Sequence, residues 1–217
     1  MDDFYYNGHY LSDYGGMILK HSEINNVGLD GSIINKKLIM SLLFFDNSSS
    51  NLQKVRNWIE IQNTNEFVWK GSNIKLKAVF TGMVLVGSGV NIEFTATYPY
   101  WDYLKEETAT FQHKTDFINI HNNGDCTSYP FIKFFGSGDI SVKLRDKAFI
   151  IKNVWNYVSI DMREGNAFRD NLNKTFDFQG DFLKLECGQN TLDIKGEWTS
   201  MQVICRSRWS KYPEGSV

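Results

Sequence analysis

Two runs in the middle of the chain, Ile74 to Phe80 and Val90 to Thr97, repeat with a period of two. Ile74, Leu76, Ala78 and Phe80 interleave with Lys75, Lys77 and Val79, and Val90, Ile92, Phe94 and Ala96 interleave with Asn91, Glu93, Thr95 and Thr97. Successive side chains of a strand point to opposite faces, so the pattern marks half-buried antiparallel strands. Gly87-Ser88-Gly89 between them reads as the connecting loop.

Strand signals also dominate elsewhere in the first half. Phe4 to Tyr6 is closed by Asn7-Gly8, a tight-turn pair. Met17 to His21 follows Gly15-Gly16. Leu38 to Phe45 is almost continuously apolar, which fits a strand buried on both faces or a buried helix; its length and the Asp46-Asn47-Ser48 cluster after it favour the strand. One helix is expected, from about Asn51 to Ile61. Ser50 and Gln53 have capping-box spacing, Leu52, Val55 and Ile59 line one face beside Trp58, and Lys54, Arg56 and Glu60 point outward.

Lys105-Glu106-Glu107 is the sharpest charged interruption, and it divides the chain into expected domains at 1–105 and 106–217. The second half reads as short strands: Phe117 to His121, Phe131 to Phe135, Ile140 to Leu144, Ala148 to Ile151, Tyr157 to Asp161, Thr191 to Ile194 and Ser200 to Cys205. Asn123-Gly124, Gly136-Ser137-Gly138 and Gly188-Gln189-Asn190 read as turns between them. An aromatic content of 15%, 17 glycines and only three prolines suit the same picture, a β-sandwich.

Composition narrows function. At 42% hydrophobic and 22% charged, the 217 residues belong to a folded chain with a core, and a formal net charge of -2 argues against a protein built to neutralise phosphates. The N-terminus has no basic region or apolar stretch, so no signal peptide is expected, and the protein should begin in the cytoplasm. Leu38 to Phe45, the longest strongly apolar run, is too short to span a bilayer. Cys126, Cys187 and Cys205 are odd in number and lack CxxC spacing, which predicts buried thiols rather than disulfides.

Reactive constellations are sparse. Neither Gly-Ser-Gly loop is followed by the Lys and Ser/Thr of a phosphate-binding loop. There is no GxSxG, and His9, His21, His113 and His121 are scattered without metal-ligand spacing. Asp161 and Glu164 are the one carboxylate pair with a glycosidase-like flavour, but Ser159 occupies the position of the leading carboxylate in a Glu-x-Asp-x-x-Glu run, and a strand end entering a turn is preferred. Trp155, Tyr157 and Trp198 could form a sugar platform, against which stands the preference of strand aromatics for the core. No catalytic, cofactor-binding or metal-binding residue is assigned, and no cofactor is expected.

A series of short motifs runs in order through the second half: Asn123-Gly124-Asp125, Tyr129-Pro130-Phe131-Ile132, Gly136-Ser137-Gly138-Asp139-Ile140, Val158-Ser159-Ile160-Asp161, Gly180-Asp181-Phe182-Leu183-Lys184-Leu185, Gly188-Gln189-Asn190-Thr191-Leu192 and Arg206-Ser207-Arg208-Trp209. In order and spacing they resemble the distal tail protein family of long-tailed phages, prophages and tail-derived bacteriocins. The first half agrees more loosely, through Phe4-x-x-Asn7-Gly8, the Leu38 to Ile61 strand-helix unit and Phe94-x-x-x-Tyr98-Pro99-Tyr100. Leu183 departs from the proline common in the family, and the short chain leaves no room for an inserted arm. The resemblance implies a mainly β fold: an N-terminal β-rich belt domain with one α-helix and a C-terminal galectin-like β-sandwich. It also implies a hexameric ring of this chain at the tail tip. That ring would join the major tail tube protein to the tail-tip hub and give DNA a channel without specific binding, with no membrane partner. Its place would be the virion or phage-like particle, after synthesis in the host bacterial cytoplasm.

Two other functions compete with this one. The first alternative is a carbohydrate-binding β-sandwich module using Trp155 or Trp198; the second is a glycan hydrolase centred on Asp161 and Glu164. The apolar strand surface at Leu38 to Phe45 and Met83 to Val86 exceeds what the first domain can hide, and it favours assembly through that domain.

Overall fold

The computed structural model describes residues 3–30, 32–61, 63–96 and 98–213. Two compact units emerge. One comprises the chain up to Leu104 together with the segment from Trp209 onward, and the other comprises Lys105–Arg208. The sequence places everything after residue 105 in the second domain. Trp209 and Tyr212 instead pack against the core of the first unit, where Trp209 meets Tyr103 edge-on and Tyr212 meets Trp69 and Trp101.

In the first unit the elements are β1 (Phe4–Tyr6), β2 (His9–Tyr10), a 3-10 turn (Leu11–Tyr14), β3 (Gly16–Val27), β4 (Ile33–Phe44), α1 (Ser49–Ile59), β5 (Asn65–Trp69), β6 (Ile74–Val86), β7 (Gly89–Ala96) and β8 (Trp101–Tyr103). The strands are ordered β2-β1-β5-β6-β7-β4-β3, with antiparallel neighbours, and β8 lies against β6. Asn7 and Gly8, at φ 44° and 87°, make the β1–β2 turn, as a two-residue hairpin of this chemistry requires. The period-two runs form β6 and β7. β6 continues to Val86 through a register shift between Phe80 and Gly82, pairing first with β5 and then with β7.

β4 is a strand, but only one of its faces is fully buried. Leu38, Met40, Leu42 and Phe44 enter the core with Lys36, while the intervening residues are half-buried. Val55, Trp58 and Ile59 of α1 join the same core, which is rich in aromatic contacts: Phe4, Phe67 and Phe94 lie 4.9 to 6.1 Å apart, centroid to centroid. The helix starts two residues earlier than its sequence suggests. Ser48, not Ser50, is the cap, and its hydroxyl accepts from the Asn51 amide at 3.2 Å. Gln53 turns along the helix to Asn57, so the expected capping box is not formed. Asp46 accepts from the Ser48 amide and fixes the entry one residue pair earlier.

The second unit contains β9 (Ala109–Gln112), β10 (Phe117–Asn122), β11 (Phe131–Leu144), β12 (Lys147–Asp161), β13 (Asn166–Arg169), β14 (Leu172–Asn173), β15 (Phe178–Gly180) and β16 (Gly188–Ile204); β17 (Arg208–Trp209) straddles the division. Six of the short strands read from the sequence are halves of three long ones. Gly136-Ser137-Gly138 is not a turn, because its residues stay paired with Asn156, Trp155 and Val154. Gly188-Gln189-Asn190 likewise lies within β16, paired with β10.

Each long strand bends where the backbone turns left-handed: β11 at Gly138, β12 at Asn153 and Asn156, and β16 at Gly196. Bulges of this kind bend a strand while it keeps its neighbours. At Gly196 the φ of 117° and a carbonyl of Asp139 only 2.3 Å from where a Cβ would sit leave room for glycine alone. One half of the bent strands carries β10 and β15, and the other carries β9 and β13. Side chains from both halves, among them Phe134, Val142, Phe149, Val158, Ile194 and Met201, form a single core, which is how one continuous sheet becomes a sandwich.

Candidate functional site

The residues singled out for chemistry fall into separate places. Asp161, at the end of β12, receives both terminal guanidinium nitrogens of Arg206, at 2.6 and 2.8 Å, and the amides of Arg163 and Glu164 at 3.0 and 3.1 Å. Burial pushes its pKa up, but the Arg206 hydrogen bond and the two amides outweigh it and hold the carboxyl below its ordinary value. A carboxylate saturated in this way is a structural tie. Glu164 is exposed in the turn beyond it.

All four histidines are exposed, and among the described residues no group of three or more His, Cys, Asp or Glu is placed to hold a metal ion. The cysteines are free, but not buried as the sequence suggested: Cys187 is exposed, and Cys126 and Cys205 are half-buried in loop or strand-end positions. Burial and then a contact with Asp125 push the Cys126 thiol up to about 12, leaving it protonated and a poor nucleophile near neutrality.

Two surfaces are better developed. The first belongs to the ends of the β3–β4–β7–β6 sheet. At one end the β3–β4 hairpin extends past the last β4–β7 pair, Lys36–Ala96, and exposes Val27, Leu29 and Ile34. Asp30 at this tip is held ionised by hydrogen bonds from the Ser32 side chain and backbone, which lower its pKa. At the other end, where Leu43 pairs with Gly89 and Gly89 with Val86, the sheet exposes Phe45, Val84, Leu85 and Val86. There Leu52, Gln53 and Arg56 of α1 and Met83, Val84 and Leu85 of β6 line an open groove of about 480 Å³. At ~3.3 Å per strand residue, tip and groove are roughly 30 Å apart along the strands. Of the apolar runs flagged in the sequence, Met83 to Val86 is therefore open, whereas Leu38 to Phe44 fills the core with alternate residues and leaves only Phe45 strongly exposed. Leu29 was missed, being a lone Leu among turn residues.

The second surface is an open cleft of about 780 Å³ on the β11–β12–β16 bend of the second unit. It gathers Trp155, Tyr157 and Trp198, the three aromatics named from sequence, with Asn156, Arg169, Asp170 and Glu197. Only Trp198 fits the core assignment; Trp155 is 72% exposed and Tyr157 half-buried.

The architecture is thus mainly β with one helix, in two antiparallel sheets. It is similar to that of a phage protein: the crystal structure of SPP1 Dit (gp 19.1) superposes with a TM-score of 0.73 over 94% of this chain and 97% of that one, at 15% sequence identity. SPP1 Dit is described as a paradigm of the hub adsorption apparatus in phages infecting Gram-positive bacteria. No protein-family model matches the sequence, and no curated protein does.

Proposed function

We propose that this chain is a non-catalytic structural subunit of a phage-type tail tip, a distal tail protein that closes into a hexameric ring through its first unit. The fold shared with SPP1 Dit along nearly the whole chain supports the tail-tip role. The observation that carries the ring is the placement of an apolar hairpin tip and an apolar groove at opposite ends of one sheet. A tip that enters the groove of the next copy makes a head-to-tail contact, and such contacts close into rings when the rotation permits. Charge is compatible with the match: ionised Asp30 beside the tip would approach Arg56 on the groove rim, which would have to share its guanidinium with Glu60, its helix partner at 2.6 Å.

The ring would join the tail tube to the tip hub and leave a lumen for DNA. A net charge of -2 suits a channel that lets DNA slide rather than holding it. Its partners would be further copies of itself, the major tail tube protein and the hub protein, in particles assembled from subunits made in the host bacterial cytoplasm. Electron microscopy of intact tails labelled with antibody against this chain tests the reading. Label at the tail tip is expected; label along the shaft, on fibres or nowhere on the particle refutes it.

A further inference from the structure

We propose that the cleft of the second unit is a binding site for a neutral saccharide. This does not rest on the ring, whose tip and groove lie in the other unit. A sugar ring needs a flat apolar platform for its C–H face and fixed polar groups around it for its hydroxyls. Trp155 supplies the platform. Its indole stands 72% exposed on a strand, where an aromatic of that size is ordinarily covered. Arg169 steadies it, with the guanidinium 4.8 Å from the ring centroid and a hydrogen bond of 2.9 Å to the Trp155 carbonyl.

The polar groups are set in advance. Tyr157 donates its hydroxyl to Asp170, which fixes that carboxylate, and Asn156 and Glu197 stand exposed on the same cleft. Asn156 and Asp170 have φ of 68° and 50°, a left-handed conformation that non-glycine residues adopt at a cost and that clusters at binding sites. Trp198 lies beneath at 2% exposure, and its indole N–H is buried without a partner.

Charge selects the class of sugar. Among the described residues that line the cleft, Asp170 and Glu197 face one cation, Arg169, which is already engaged with Trp155; Lys133, next to the cleft, is held over the rings of Tyr157 and Phe135 at 4.0 and 5.0 Å. That balance disfavours phosphate, nucleic acid and acidic glycans, and leaves carboxylate and amide acceptors for vicinal hydroxyls.

The test titrates the full-length protein with neutral oligosaccharides of gluco, galacto, manno and rhamno configuration, reading saturation-transfer NMR and tryptophan fluorescence. At least one should bind saturably, and both Trp155→Ala and Asp170→Asn should weaken it roughly tenfold or more. Phe176→Ala, at an exposed aromatic outside the cleft, should bind as the parent does. Because Trp155 is mostly solvent-exposed and Asn tolerates the Asp170 backbone, both variants should fold, which circular dichroism verifies. No binding by any of the four, equal binding by Trp155→Ala, or tighter binding of an acidic oligosaccharide overturns the proposal.

Discussion

The two units are built from the same strand chemistry, yet they treat their apolar residues differently. In the second unit the long strands fold over at left-handed residues, so both halves of each strand contribute to one core and few large apolar side chains stay outside. The first unit has an equally filled core, but its β3–β4 and β6–β7 hairpins run past it and carry most of that unit's large exposed apolar residues among those described. A strand that bends closes its own surface. A strand that overshoots leaves an end for something else to cover, which supports the proposed assembly through the first unit, whereas the proposed ligand site lies in the second.

The largest expected effect would break that contrast outright. Leu29→Asp at the hairpin tip, or Leu85→Asp in the groove, should remove the chain from assembled tails while leaving the circular dichroism spectrum of the isolated protein unchanged, since both side chains are already exposed. Phe176→Asp in the second unit should assemble as the parent does. If all three variants enter tails equally, the asymmetry between the units has no bearing on assembly.

Polar ties inside each unit sharpen the comparison. In the first, Lys36 is fully buried and pairs with Glu23 at 2.8 Å, also donating to the Ser210 carbonyl. Glu23 accepts from the Trp101 indole and the Tyr212 amide, so this one pair fastens the returning segment to the core. Lys36→Ala should destabilise the first unit by about 3 kcal/mol, because it strands a partly buried carboxylate. Replacing both partners by Met and Leu should recover much of the loss; a double variant no better than the single would place the cost in packing instead, as read by denaturant unfolding.

In the second unit, Asp161→Asn should cost about 2 kcal/mol by removing a charged, bidentate acceptor from Arg206. The folded pKa of Asp161 is depressed, so its contribution is fully present above the unfolded value of about 3.9 and is lost as pH falls through the lower folded value. The parent should therefore lose stability in acid below about pH 4 more steeply than the variant. Parallel acid profiles would show that the pair is not coupled to folding.

What the sequence made legible follows from how local each signal is. The alternation in β6 and β7 and the Asn7-Gly8 turn are short-range and were readable. The bent strands were not, because a glycine that ends a strand and one that bends it look alike, and only pairing with distant residues tells them apart. The same bend misled the assignment of Trp155. From Phe149 and Ile151 the inward face of β12 is odd-numbered, but beyond Asn153 it becomes even, at Val154, Val158 and Ile160. Trp155 is thereby turned to solvent. Its only written trace is the Asn pair around it. Lys36 gave no warning, since a lysine in an apolar strand ordinarily faces water.

The smallest effect separates two serines two positions apart. Helix entry was misplaced because Ser48, Ser49 and Ser50 offer the same side chain, and the spacing to Gln53 suited the last of them. Geometry selects the first: Ser48 is outside the helix at ψ 148° and its hydroxyl reaches the Asn51 amide, while Asp46 and Asn51 brace the same turn through a backbone amide and a carbonyl. Ser50 is already helical and its hydroxyl has no orphan amide to satisfy. Ser48→Ala should lower the stability of the first unit by about 1 kcal/mol, and Ser50→Ala should change it by less than about 0.5 kcal/mol, as alanine is the better helix former. Because α1 also lines the groove through Leu52 and Arg56, a frayed first turn should weaken assembly as well as folding, which neither Ser50→Ala nor a substitution in the second unit would do. Equal thermal shifts for the two serine variants would return the cap to Ser50.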